Sequence, residues 1–261
     1  MRRIMGRIAA IAVFILMQAG LASAAEIKVF STIGVQSALE ELAPKFERAT
    51  GHKLNITWAT AAILVKRVQA GESADLYILT KQSLDALTKD GSATAGSDAT
   101  FASSGMAVVV KKGAAKPDIS TPEAFKTALL NAKAIAYSNP AAGGASGVYL
   151  AKLIERMGIA EQMKSKTRHP PPSGNSALLV VSGEAELAIQ QEPEVTSVAG
   201  VDLVGPLPAG LNNITSYAAG LGKDAKEVTG TAALIRYLHT PEAGAVFKAK
   251  GLTPVASPKA S

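Results

Sequence analysis

Apolar positions along this chain switch repeatedly between a period of two and a period near 3.6. Glu26 to Ser31 (EIKVFS) places Ile27, Val29 and Phe30 in a short alternating run, which predicts a strand. Val35, Leu39, Leu42 and Phe46 then fall on one face of a helix, and Gly51 suits the left-handed residue that closes it. Leu54 to Trp58 predicts a second strand, and Leu64, Val65 and Val68 a short helix running to Gly71. Asp75 to Leu79 predicts a third strand, followed by a helix from Ser83 to Asp90 that stops at Gly91. Strands and helices alternating at this spacing predict a parallel, layered α/β sheet.

The alternation continues downstream. Met106 to Val110 (MAVVV) reads as a buried strand, and Thr121-Pro122-Glu123 as a helix start. Ala134 to Ser138 predicts a strand, which a Gly/Ala-rich loop connects to a helix opening at Ser146-Gly147. Three prolines, 170 to 172, break the pattern. A helix over Ala177 to Ser182, strands at Leu187 to Ile189 and Ser216 to Leu221, and a last helix from Thr240-Pro241-Glu242 complete it. The tail from Ala256 to Ser261 has no periodic apolar residues and is expected to be loose.

The N-terminus departs from this pattern. Arg2, Arg3 and Arg7 precede an uncharged run, Ile8 to Leu21, and then Ala22-Ser23-Ala24. That is the layout of a cleavable secretory signal, 1–24, and the run is shorter than the ~20 residues that span a bilayer. The expected product is a periplasmic protein beginning near Ala25. Three of the 27 basic residues lie in the leader, leaving 24 against 21 acidic and a net charge of +3, too mild to argue for nucleic acid. There is no cysteine, which excludes thiol catalysis and cysteine metal sites. Three histidines, His52, His169 and His239, show no metal-ligand spacing, and the Gly143-Gly144 stretch lacks the lysine of a P-loop. No metal and no cofactor are expected.

Ligands of open α/β sheets gather where strands feed helix N-termini, which present free N–H groups and a positive dipole end. Four such junctions carry small or hydroxyl residues: Ser31-Thr32-Ile33-Gly34, Thr60-Ala61-Ala62, Ala145-Ser146-Gly147 and Ser173-Gly174-Asn175-Ser176. Each also suits ordinary helix capping.

VFSTIGVQSALEELAPKFERATG through ESADLYILT, GEAELAIQQEPEV, VDLVGPLP and TPEAGAVFKAKGLTPV resemble the periplasmic molybdate-binding proteins of ABC importers. The resemblance covers essentially the whole chain after the leader. It implies a class II periplasmic binding protein with two α/β lobes, two crossovers and a ligand cleft. Lobe 1 is expected over 25–104 plus 220–261 and lobe 2 over 105–219, with an ABC permease as partner and a monomeric receptor. The serines with which that family holds its oxyanion fall here on Gly34 and Ala61, and its pocket tyrosine on Gln191. Each hydroxyl lost costs ~1.5–3 kcal/mol, which points away from molybdate or tungstate.

A narrower resemblance, in YSNPAAGGASGVYL and GEAELAIQQ, is to bacterial aconitate isomerase, and implies a tricarboxylate. The Gln190-Gln191 pair would then offer amides to carboxylate oxygens. Three functions stay open: a receptor for a small organic anion, an isomerase on the same scaffold, and an oxyanion receptor using displaced hydroxyls. The expected ligand contacts are Ser31, Thr32, Gly34, Thr60, Ala61, Ser146, Gly147, Ser173, Asn175, Gln190 and Gln191. An isomerase needs a base, for which His169 and Glu192 are the candidates. Lys66, Arg67 and Arg168 are the candidate carboxylate partners, while Tyr137 and Tyr149 suit core or site equally.

Overall fold

A computed structural model describes residues 25–256; residues 1–24, expected to be a cleavable leader, and 257–261 lie outside the described residues. In chain order the elements begin β1 (Glu26–Thr32), α1 (Gln36–Thr50), β2 (Lys53–Ala59), α2 (Ala61–Gln69), β3 (Leu76–Thr80), α3 (Lys81–Lys89) and β4 (Ala99–Ser104). They continue with β5 (Met106–Lys111), α4 (Pro122–Asn131), β6 (Ile135–Ala136), α5 (Ala145–Arg156), α6 (Ala160–Lys164), β7 (Thr167–Arg168), α7 (Ala177–Val181), β8 (Leu187–Gln191), α8 (Glu192–Thr196) and β9 (Val201–Pro206). The chain closes with β10 (Thr215–Leu221), α9 (Val228–Tyr237), α10 (Pro241–Ala249) and β11 (Thr253–Pro254).

Two sheets form, ordered β11-β4-β10-β3-β1-β2 and β7-β6-β8-β5-β9. The predicted parallel pairing holds for β2-β1-β3 and for β7-β6-β8. It fails elsewhere: β10 runs antiparallel to both β3 and β4, and β5 antiparallel to β8 and β9. Both sheets are therefore mixed. The reason is the pair of crossings. Gly105 alone separates β4 from β5, and the chain returns between Pro206 and Thr215. A strand that arrives from the other lobe enters its sheet against the direction of the βαβ units. All of β10 lies in the first sheet, so the return precedes Thr215 rather than falling near 220.

Each sheet is covered on both faces. Val29, Leu39, Leu42, Phe46 and Phe247 belong to one core of the first lobe, and Phe30, Leu64, Leu79 and Leu84 to its other core. Val108, Phe125, Leu153 and Ile189 pack on one face of the second sheet, and Val109, Ala177, Val180 and Val195 on the other. The helix ends follow local chemistry. Gly51 adopts φ 78° after α1, and Thr121 Oγ1 accepts from Ala124 N at 3.1 Å at the start of α4. Truncating a side chain as buried as Phe46 would cost ~3–5 kcal/mol. Among the described residues no helix is long and apolar enough to cross a membrane.

Candidate functional site

The carboxyl ends of β1, β3 and β8 open on a cavity of about 700 Å³ lined by both lobes. The turn after β1 supplies Thr32 and Gly34, the start of α2 Thr60 and Ala61, and the start of α3 Thr80 and Ser83. From the other lobe come Ser138, Gly144 and Ser146 before and in α5, with Gln191 and Glu194 around the start of α8. A cavity of similar volume, about 750 Å³, lies at the opposite end of the second sheet, beside Lys111, Asp118 and Leu187. It is confined to one lobe, and alanine is the most frequent residue in its wall. The inter-lobe cavity alone gathers the starts of α2, α3 and α5, whose N–H groups and dipoles favour an anion.

The hydroxyls there divide into committed and free. Thr60 Oγ1 accepts from Ile63 N at 3.4 Å, capping α2, and donates to Ala142 O of the other lobe at 3.5 Å. Thr60 N donates to Ser173 Oγ at 3.3 Å, so Ser173 clasps the lobes together, at a φ of 60°. Thr32, 5% exposed, makes no capping bond. Ser146 Oγ lies 3.4 Å from Ser138 Oγ. Ser31 is fully buried and its Oγ donates back to Thr32 O at 3.4 Å, away from the cavity. Gly147 stands behind the wall: a Cβ there would lie 2.1 Å from Ser138 O.

Gly34 faces Tyr217. A Cβ on Gly34 would fall 2.5 Å from Tyr217 Oη and 2.8 Å from its ring edge. The phenol thus occupies the space a side chain at 34 would need. Tyr217 Oη also lies 3.1 Å from Ser104 Oγ. The Gln191 amide nitrogen donates to Ser104 Oγ and to the Gly105 carbonyl 3.1 Å away, and its oxygen accepts from Thr215 Oγ1 at 2.9 Å. Where the Ser104 hydroxyl donates to Tyr217, the phenol proton is left for the cavity. Burial pushes the Tyr217 phenol well above its ordinary pKa, and the Glu194 carboxylate adds to this, so the group stays a neutral donor.

Glu194 is the one carboxylate among the cavity-lining residues. Gln190 Oε1 accepts from Ser176 N at 2.9 Å and Ser176 Oγ at 2.8 Å, which fixes its amide and turns the amino end to a close bond with Glu194 Oε2. Desolvation raises the Glu194 pKa to about 7, against the opposing pull of the Gln190 bond. Lys66 from α2 and Lys152 from α5, one from each lobe, border the same cavity, and both are exposed.

A model of the family described as bacterial extracellular solute-binding protein matches residues 27–253. The chain belongs to that family. This solute-binding protein is 34% identical over 233 residues to the aconitate isomerase of a Pseudomonas species, covering 87% of each chain. It is 24% identical to the molybdate-binding protein ModA of Escherichia coli, covering 89% of this chain and 91% of that one. The periplasmic molybdate-binding protein of Azotobacter vinelandii superposes with a TM-score of 0.70 at 21% identity, over 87% of this chain and 98% of that one. The fold is that of the class II periplasmic binding proteins, as the resemblance implied.

Several expected residues of this solute-binding protein lie away from the cavity. His169 is exposed, its Nδ1 is 2.9 Å from Tyr137 O, and its ring meets that of Tyr137 edge-on. Glu192 packs against Gly251 instead of the cleft, because it is two residues from Glu194 on a short helix and points another way. Asn175 precedes the Ser176 N-cap of α7, its Oδ1 accepting from Ala177 N at 2.9 Å, and Gln190 is held behind Glu194. Arg67 pairs with Glu72 and lies over the Phe30 ring, while Arg168 donates to the Ser165 and Thr167 carbonyls. Sequence reasoning missed Tyr217 and Glu194. For Glu194 a signal existed: Pro193 marks a helix start, and a strand-to-helix corner places the residue four after Gln190 beside it.

Proposed function

We propose that this solute-binding protein closes its two lobes on a small organic polycarboxylate. The size and polarity of the inter-lobe cavity carry the reading. At ~30 Å³ per water-sized group, a five-atom oxyanion fills on the order of 150 Å³, and a roughly twelve-atom tricarboxylate more than twice that. The cavity is about 700 Å³ and offers donors in several places: Thr32, the helix starts, Tyr217, and a lysine on each lip. Separate anionic groups on one ligand would use separate donors. Isothermal titration with trans-aconitate, citrate, sulfate and molybdate tests this. A polycarboxylate binding tightest is the expected result, and molybdate or sulfate binding tightest overturns it.

A second reading is an isomerase on the same cleft. It is favoured by the 34% identity to a protein named aconitate isomerase and by the presence of Glu194 in the wall. Turnover of trans-aconitate decides between receptor and enzyme.

We also propose that residues 1–24 are removed on export, that the protein works in the periplasm, and that the receptor reading includes delivery to an ABC permease. The moving units would be 25–104 with 215–256, and 106 to about 212. Mass spectrometry of the periplasmic fraction should find a chain beginning at Ala25.

A further inference from the structure

We propose that Glu194 is the side chain that carries the proton in this cleft, removing it from one carbon of a bound unsaturated polycarboxylate and returning it two carbons away. The inference rests on the isomerase reading above and names the residue that would do the work.

An ionised carboxylate in the wall of an anion receptor repels its ligand. Glu194 nevertheless borders the cavity, and no histidine or aspartate does so among the described residues. Its mounting suits a base. Oε2 is held by Gln190, whose own amide is fixed by two bonds from Ser176. No protein group bonds Oε1 among the described residues. Burial brings the carboxyl to about 7, so it can both take and give a proton near neutral pH.

The step balances without any co-reactant. The carboxylate takes a proton from a methylene carbon next to the substrate's double bond, and the C–H electron pair joins the π system. The resulting three-carbon anion is spread between two carbons. Glu194, now protonated, returns the proton to the far carbon, and the double bond shifts by one position. Nothing is oxidised, no water enters, and the carboxylate is regenerated. Tyr217 and the uncommitted Thr32 hydroxyl face the same cavity, so both can donate to the substrate carboxylates that receive the negative charge. Other titratable groups around Glu194 are few. Tyr217 faces it from β10, and Glu40 of α1 borders a side hollow that Glu194 also borders. The lip lysines Lys66 and Lys152 line the same cavity.

The test uses the purified full-length mature chain, trans-aconitate in D₂O, and proton NMR. Wild type should form the cis isomer and exchange deuterium into the methylene position. Glu194→Gln should lose turnover and exchange by about 10²–10⁴-fold, while trans-aconitate still raises its melting temperature, which shows that the variant folds and binds. Gln190→Leu removes the bond that lowers the Glu194 pKa, so the acid limb of its rate profile should move to higher pH. If wild type turns over and Glu194→Gln stays within tenfold of it, Glu194 is not the base and the isomerase reading survives. If wild type binds trans-aconitate with neither turnover nor exchange, the isomerase reading fails and this inference fails with it.

Discussion

Gly34 and Tyr217 share one space, since a Cβ on the glycine would stand 2.5 Å from the phenol oxygen. The resemblance to molybdate binders implies that position 34 is the place of an oxyanion-holding serine. Here the hydroxyl on that side of the cleft reaches in from β10, on the end of a six-membered ring. A hydroxyl therefore faces the cleft beside position 34 from a different strand.

Gly34→Ser should therefore destabilise the protein by ~1–3 kcal/mol, the usual cost of overpacking. Urea unfolding measures it, and in a Tyr217→Ala background, itself destabilised by loss of a buried ring, the added cost of Gly34→Ser should shrink towards zero. A Gly34→Ser protein as stable as wild type would mean that the ring moves aside freely.

Glu194 should tilt the dependence of stability on pH. Its carboxyl titrates at about 7 in the folded chain against 4.5 ordinarily, raised chiefly by desolvation. Between those values the folded state holds a proton that the unfolded chain has released. Stability from this group is thus fully present below about 4.5 and lost as pH rises to about 7, by at most about 3 kcal/mol. Glu192, also raised by burial, acts in the same sense. Urea unfolding from pH 4.5 to 8 should show a shallower fall in Glu194→Gln than in wild type.

Ser173→Ala removes the acceptor for Thr60 N across the cleft. If the lobes close on the ligand as proposed, the variant loses a bond that only the closed form can make, so ligand affinity should fall about threefold to tenfold. Stability should change less, and small-angle scattering of the free protein should show a larger radius of gyration. An unchanged affinity would remove Ser173 from the closure mechanism.

Lys66→Ala and Lys152→Ala should each slow association with a polycarboxylate by a factor of about two to five at low salt. At high ionic strength the difference should vanish, because both side chains are exposed. Stopped-flow association rates at several salt concentrations read this out.

Much of the first lobe was legible because its signals are local. The alternation at Glu26–Thr32, the apolar face of α1 and the glycine after it need no distant partner to be read. β4 was not legible: ATFASS carries one large apolar residue, Phe101, and it is a strand because β10 and β11 pair with its two sides. Strand direction was equally hidden, since periodicity is the same for parallel and antiparallel partners. In the site, Thr32, Gly34, Thr60, Ala61, Ser146 and Gln191 were legible as junction residues or by resemblance, and all six line the cavity. Tyr217 was not, because nothing local ties it to a glycine 183 residues earlier. Glu192 and Glu194 look alike as letters, and only the turn of α8 decides which one faces the cleft.

β10 lies between β3 and β4, so the first sheet has a gap until residue 221 is in place. The second sheet is built from one uninterrupted stretch, 106–206, and lacks nothing from either flank. On a ribosome or emerging from a translocation channel, the second lobe can therefore finish first. The first lobe waits with its β1-β2-β3 half exposed for nearly the length of another domain. For a chain delivered end-first, that interval is when chaperones and proteases have most to act on.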